Sequence, residues 1–182
     1  MSEPSLPDKV LAIHERLGEA RIGHAFGGAL ALAYYAEPRA TIDVDLNVFT
    51  APGAHDAVHA ALAPLGVTAP EDAATIERDG QCRWWWGRTP IDLFFAYDPI
   101  HDAMRREARA VPFGERTIVV LAPEHLIVCK AAFDRPKDWL DIEQVLVCAD
   151  ELDVGEIDAW LVRVLGADDE RRRRFAQLAD AD

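Results

Sequence analysis

The chain has 182 residues, half of them hydrophobic, and a formal net charge of −13. That length fits one domain, or one domain with a helical extension, and the apolar content is enough for a core without staples. The acidic balance excludes a general, sequence-blind nucleic-acid binder, whose affinity comes from neutralising phosphates.

The N-terminus lacks the charged-then-apolar pattern of a signal, and no apolar run reaches the ~20 residues that span a bilayer. The expected location is cytoplasmic, with no membrane partner. Cys82, Cys129 and Cys148 are far apart and form no C-x-x-C pair, so they read as reduced thiols.

In chain order, a first helix is predicted from Pro7 to Leu17, with Ser5 and Asp8 as a capping box and Gly18 as its stop. Residues 21–26 read as a short strand that ends at Gly27-Gly28. A helix follows over Ala29–Ala36, closed by Glu37-Pro38. Thr41–Phe49 alternate as a strand does. A small-residue helix is expected at Ala54–Leu62, with His55 and His59 read as surface histidines.

Cys82–Trp86 and Ile91–Tyr97 read as two strands of a hairpin. In the first, Trp84 and Trp86 share a face and are assigned to core or partner packing in preference to base stacking. Arg116–Leu121 is one more strand. Beyond it the chain turns helical: Pro123 to about Phe133, Pro136 to about Asp150, and a third helix capped by Asp153 and Glu156. The apolar stripe of the third is Ile157, Trp160, Leu161 and Val164, and it ends at Gly166. A short last helix carries Arg171–Arg174. That run, like Arg105, Arg106 and Arg109, reads first as a solvated helix face.

The expected fold is α+β: a small mixed β-sheet flanked by helices over residues 1–121, with a helical C-terminal tail over 122–182 packed as one unit with it.

The most informative segment is Thr41-Ile-Asp-Val-Asp-Leu-Asn-Val. Alternation puts Ile42, Val44, Leu46 and Val48 on a core face, and Thr41, Asp43, Asp45 and Asn47 on the other. Asp is disfavoured in strands, and two at i and i+2 repel. A hard divalent cation such as Mg²⁺ offsets that repulsion; a wet polar face is the plainer alternative. Asp92 lies in the apolar run Pro90–Ala96, where a carboxylate is expensive unless paired or metal-bound. If its strand neighbours the first, Asp92 completes a three-carboxylate cluster; otherwise it faces water at an edge. Gly27-Gly28, between strand and helix, allows close backbone approach to phosphate. His24 either lines that turn or belongs to the core.

Gly27-Gly28-Ala29-Leu30, followed by Arg39-Ala-Thr41-Ile-Asp43-Val-Asp45-Leu46, resembles the signature of the polymerase-β-like nucleotidyltransferases. Many members carry Ser where this chain has Gly28. The later segment from Pro123 through Lys130, Asp134, Arg135, Lys137, Asp138 and Asp141 to Ile142 is similar to that of the AbiEii-like and MenT-like toxin branch.

The resemblance spans residues 21 to about 146. It implies the minimal nucleotidyltransferase fold, Asp43 and Asp45 as Mg²⁺ ligands with Asp92 as ligand or base, and a nucleoside triphosphate substrate. It implies that Gly27 and Gly28 cradle the triphosphate, with Arg39 and Thr41 in the same site. Lys130 meets the phosphates, and Asp138 has a functional role. From the residues alone, Lys130 and Asp134 also read as an i,i+4 pair, and Asp138 as a first-turn carboxylate favoured by the helix dipole.

The branch further implies an RNA acceptor, the tRNA 3′ end first, and a cognate antitoxin. Transfer to an aminoglycoside-type small molecule or to a protein hydroxyl stays open, as does a catalytically silent nucleotide-binding protein. The preferred triphosphate, the oligomeric state and the antitoxin's identity are outside what the residues determine.

Overall fold

The structure, a computed structural model, describes residues 3–70, 72–149 and 151–180. It divides into two compact units, one of residues 1–30 and 40–120, the other of 31–39 and 121–182. Strands and helices mix as expected for an α+β chain. No helix among the described residues is long and apolar enough to cross a membrane.

The first unit is built on a seven-stranded mixed sheet. Its strands are β1 (His24–Phe26), β2 (Val44–Val48), β3 (Val67–Thr68), β4 (Gln81–Trp86), β5 (Thr89–Phe95), β6 (Arg109–Phe113) and β7 (Arg116–Val120). Their order across the sheet is β3-β4-β5-β2-β1-β7-β6. The central pair β2 and β5 is parallel; β4 and β5 form the antiparallel hairpin expected from their short joint.

One face of the sheet is apolar. Val44, Leu46 and Val48 of β2, Ile91, Leu93 and Phe95 of β5, Trp84 of β4, Phe26 of β1 and Ile118 and Val120 of β7 are buried. Helix α1 (Leu6–Glu19) packs on β7 and on α3 (His55–Leu62), burying Val10, Ile13 and Leu17. The Ser5–Asp8 capping box starts α1 as predicted, but the helix runs past Gly18 to Glu19. Lys9 is buried too; its ammonium bonds Glu3, the Trp86 carbonyl and the Thr89 hydroxyl.

Several sequence expectations are corrected here. The strand expected over Thr41–Phe49 begins only at Val44, and Ile42, assigned to the core face, is 79% exposed. The Thr41 hydroxyl bonds the Asp43 carboxylate and accepts from the Asp43 N–H, so local side-chain bonding bends the chain before the ladder begins. The strand expected over residues 21–26 is confined to β1. The helix expected over Ala29–Ala36 is the shorter α2 (Gly28–Leu32).

His55 is buried, its Nδ1 against the Pro52 carbonyl, and His59 stands edge-on to Trp84 at 5.3 Å. Neither is the surface histidine expected. Arg105 and Arg106 lie exposed on α5 (Pro99–Glu107), while Arg109 sits on β6, so the first basic run is split between two elements.

The second unit is helical: α6 (Pro123–Phe133), α7 (Pro136–Cys148), α8 (Val154–Leu165) and α9 (Glu170–Ala179). Helix α6 packs against α7, α8 and α9. Its core includes Leu126, Ile127, Trp139, Ile142, Val145, Ile157, Leu161 and Phe175. The Tyr35 hydroxyl donates to the Leu121 carbonyl at 2.8 Å and ties residues 31–39 to the start of α6.

The second basic run is also not a plain solvated face. Arg171 holds Asp169 and the Ala132 carbonyl, Arg172 holds Asp158, and Arg174 stacks on Trp139 at 4.3 Å. Three of its four arginines therefore dock α9 onto its own unit.

His24 faces α1, on the covered side of the sheet. Its Nδ1–H donates to the Ile22 carbonyl at 2.9 Å, so its Nε2 accepts from His14 Nδ1 at 2.8 Å. Burial lowers the His24 pKa to about 4, and the His14 pKa is lowered for the same first reason. The unfolded chain binds a proton near pH 6.5, where the folded chain does not. Stability is therefore full above about pH 6.5 and falls as pH drops toward 4. Lowering the pH from 7 to 5 should cost about 2 kcal/mol in urea unfolding, and less in His24→Gln. A wild-type midpoint that does not move across this window would refute the assignment.

Candidate active site

The other face of the sheet carries the carboxylates. In the parallel pairing of β2 with β5, Asp45 lies directly opposite Asp92. Asp43 is two residues before Asp45, at the bend that precedes β2. Asp92 is therefore neither on an edge strand nor apart from the Asp-Val-Asp segment: β5 runs between β4 and β2.

The next residue in that row is Arg83 of β4, in register with Asp92. Its Nε and Nη2 donate to the two Asp92 oxygens at 2.6 and 2.8 Å, a bidentate fork. The Asp92 hydrogen bonds and charge, followed by the charges of Asp43 and Asp45, raise the Arg83 pKa above its ordinary value. Arg83 was not among the sequence candidates. The signal was present: a hairpin that pairs Trp86 with Thr89 must pair Arg83 with Asp92 by counting.

Gly28 approaches the same row from β1. Its φ is +51°, a left-handed conformation, and an added Cβ would lie 1.7 Å from Asp45 Oδ2. Only glycine fits there without moving that carboxylate. The preceding Gly27 N–H is already donated to the Asp45 carbonyl at 2.9 Å. Thr41 bonds Asp43. Trp85 points to this same face and is half-exposed, whereas Trp84 is fully buried on the other. Trp84 thus belongs to the core, as expected.

Lys130, Asp138 and Arg39 belong to the helical unit, where they form a group with Asp141. Lys130 is only 4% exposed; its Nζ donates to Asp141 Oδ2 at 2.5 Å and lies 3.8 Å from Asp138 Oδ1. Arg39 grips both oxygens of Asp141 at 3.3 and 3.1 Å. Burial alone would push the Asp141 carboxyl up. The hydrogen bonds and charges of Lys130 and Arg39 outweigh it and hold the group below its ordinary value.

Asp138 occupies the third position of α7, accepting from the Arg135 backbone N–H and guanidinium. The i,i+4 alternative for Lys130 is not what forms. Asp134 instead caps α6 in a left-handed conformation and accepts from Trp139 Nε1 at 2.7 Å.

Lys130 is the buried counter-charge of two carboxylates, which without it keep only the part-exposed Arg39 and Arg135. Lys130→Met should destabilise the chain by roughly 3–5 kcal/mol, read by urea unfolding. A loss below about 1 kcal/mol, the scale of an exposed pair, would mean the network is not the buried one described.

The family described as "Nucleotidyl transferase AbiEii toxin, Type IV TA system" matches residues 16–182. Among curated protein sequences none matches. Among solved structures, the antibiotic-resistance factor ANT(2″)-Ia in solution is similar, with TM-score 0.63 and 16% identity, over 99% of this chain and 98% of that one.

A crystal structure of ANT(2″)-Ia in complex with adenylyl-2″-tobramycin gives 0.61 and 14%, over 94% and 97%. An antigenic nucleotidyltransferase-like protein from Paracoccidioides brasiliensis gives 0.56 and 16%, over 97% and 93%. At these identities the likeness is one of fold, and the fold is that of nucleotidyltransferases. With the family matched over nearly the whole chain, this protein is a nucleotidyltransferase and belongs to the AbiEii toxin family of type IV toxin–antitoxin systems.

Proposed function

We propose that the chain is a Mg²⁺-dependent toxin that transfers a nucleotide from a nucleoside triphosphate to an RNA hydroxyl, with the tRNA 3′ end as acceptor and a cognate antitoxin restraining it in the cytoplasm. The observation that carries this reading is the pairing of Asp45 with Asp92 on one sheet face, with Asp43 two residues before Asp45 and its charge acting on the same Arg83.

The donor set suits a hard divalent cation: three carboxylates, with a guanidinium already acting as counter-charge and a glycine backbone pressed against one ligand. Asp43 and Asp45 would hold the cation, with Asp92 as a further ligand or as the base. When bound, Mg²⁺ supplies charge neutralisation on the triphosphate and a lowered pKa for a bound hydroxyl.

In the reaction itself the acceptor oxygen attacks the α-phosphorus, and pyrophosphate leaves. Asp92, beside Asp45 and held at rest by Arg83, would take the hydroxyl proton. Gly28 lets the backbone come close to ligand at the Asp45 side, and Thr41 orients Asp43 through their mutual hydrogen bonds. On this reading Arg39, part-exposed and held by Asp141, acts on phosphate charge, and Lys130, buried against Asp141 and 3.8 Å from Asp138, keeps that network in place.

Purified protein, Mg²⁺, each α-labelled triphosphate and total tRNA should yield labelled tRNA. Asp45→Asn should lower the rate on the order of 10³-fold, about 4 kcal/mol of transition-state stabilisation. Wild-type-like turnover in that variant would remove Asp45 from the site.

A second acceptor class has one observation in its favour: the net charge of −13 suits a cationic small molecule better than a polyanion. The labelled product separates the two. RNA binding should weaken as salt rises from about 50 to 200 mM, with a slope set by the few phosphates contacted, and a cationic small molecule is screened as well. Label transferred to an aminoglycoside in place of tRNA would favour the small-molecule acceptor.

A further inference from the structure

We propose that Arg83 is a tethered counter-cation of the carboxylate row, which occupies Asp92 at rest and competes with a divalent cation for it. The inference rests on the reading above, that this row takes a divalent cation, and it adds what controls loading.

Three carboxylates on neighbouring positions of one sheet face would repel one another. Asp45 and Asp92 are direct register partners, so the backbone gives them no room to part. Arg83 offsets part of that repulsion. It binds both oxygens of Asp92, and the charges of Asp43 and Asp45 act on the same guanidinium.

With Arg83 engaged, three carboxylates and one guanidinium carry a net charge of −2, which one divalent ion balances. A cation that needs Asp92 as well must share the carboxylate with the fork or displace it, and the two positive charges repel.

Displacement is feasible. The Arg83 side chain is 52% exposed and Asp92 only 19%, so the guanidinium can swing into solvent while the carboxylate stays in the sheet. An ion pair with one partner this exposed contributes little to stability, so its rupture costs little. The same fork holds the Asp92 carboxylate in a fixed rotamer before loading. Arg83 is thus a positioning residue that also sets how tightly Asp92 joins a cation.

The test is Mn²⁺ binding to the full chain without nucleotide, followed by paramagnetic resonance and calorimetry. Arg83→Gln should bind its weakest-held Mn²⁺ about tenfold more tightly than wild type, the lower end of what one neighbouring charge does to an ionisation. Arg83→Lys, which keeps the charge and loses the fork, should fall between them. Asp45→Asn should abolish the signal and locate it at the row.

Unchanged or weaker Mn²⁺ binding in Arg83→Gln, with an unaltered circular dichroism spectrum, overturns the role of Arg83 and leaves the cation site standing. No Mn²⁺ binding in wild type and in Arg83→Gln alike overturns both.

Discussion

The register of one parallel strand pair governs the candidate site. Val44, Leu46 and Val48 and their partners Ile91, Leu93 and Phe95 are all buried on one face. Side chains alternate, so the residues between them, Asp45 and Asp92, must emerge together on the other face. A slip of one residue would drive a carboxylate into the core and an aliphatic side chain into water. The hydrophobic effect on one face therefore forces two like charges into contact on the other. Six buried aliphatic and aromatic side chains, at about 1.5–3 kcal/mol each, can sustain a repulsion of this kind. Gly28 and Arg83 are its local consequences: one is a residue without a Cβ where the Asp45 carboxylate needs room, the other a cation opposite Asp92.

The helical unit holds charge in a different manner. Lys130, Arg39 and Arg135 face Asp138 and Asp141, and Lys130 and both carboxylates are buried. Buried ion pairs of this kind give little net stability compared with an apolar replacement of the same shape. They stand beside Trp139, Ile142 and Val145, which supply the apolar core of the same unit. Asp141 is the pivot: it joins Arg39, from the segment after α2, to Lys130 on α6, within one unit.

Much of this was legible in the sequence, where local chemistry and burial agree. Pro123, Pro136 and Asp153 start helices where the capping rules place them, and of the expected α8 stripe Ile157 and Leu161 are buried, while Val164 is 39% exposed. The hairpin was legible from the short joint between β4 and β5. What was missed follows from elements with too few apolar residues to show a period. The short helix Ala73–Asp79 buries only Ile76, and β3 has two residues. Edge strand β6 contains Pro112, which reads as a breaker unless its position at the sheet's edge is known. Ile42 was misassigned because alternation was extended through Thr41–Asp43, where side-chain bonding to the backbone outcompetes the ladder. Arg83 was missed because attention stayed within each strand, and its partner lies across the hairpin.

The arginines bear on the acceptor. An acidic chain can bind a polyanion only through cations that its own carboxylates have not claimed. Arg39, Arg83, Arg135, Arg171 and Arg172 each grip an Asp, and Arg16 and Arg116 each grip a Glu. Such guanidiniums are spent on folding or on the site, so a long phosphate backbone finds few contacts among them. A low count of phosphate contacts gives weak affinity for duplex or extended single strands, since each contact contributes its own share of counterion release. It leaves room for recognition of a chain end, where one hydroxyl and the groups beside it enter the carboxylate row. An enzyme with this charge distribution would select its acceptor by the chemistry of that end more than by the length of strand behind it.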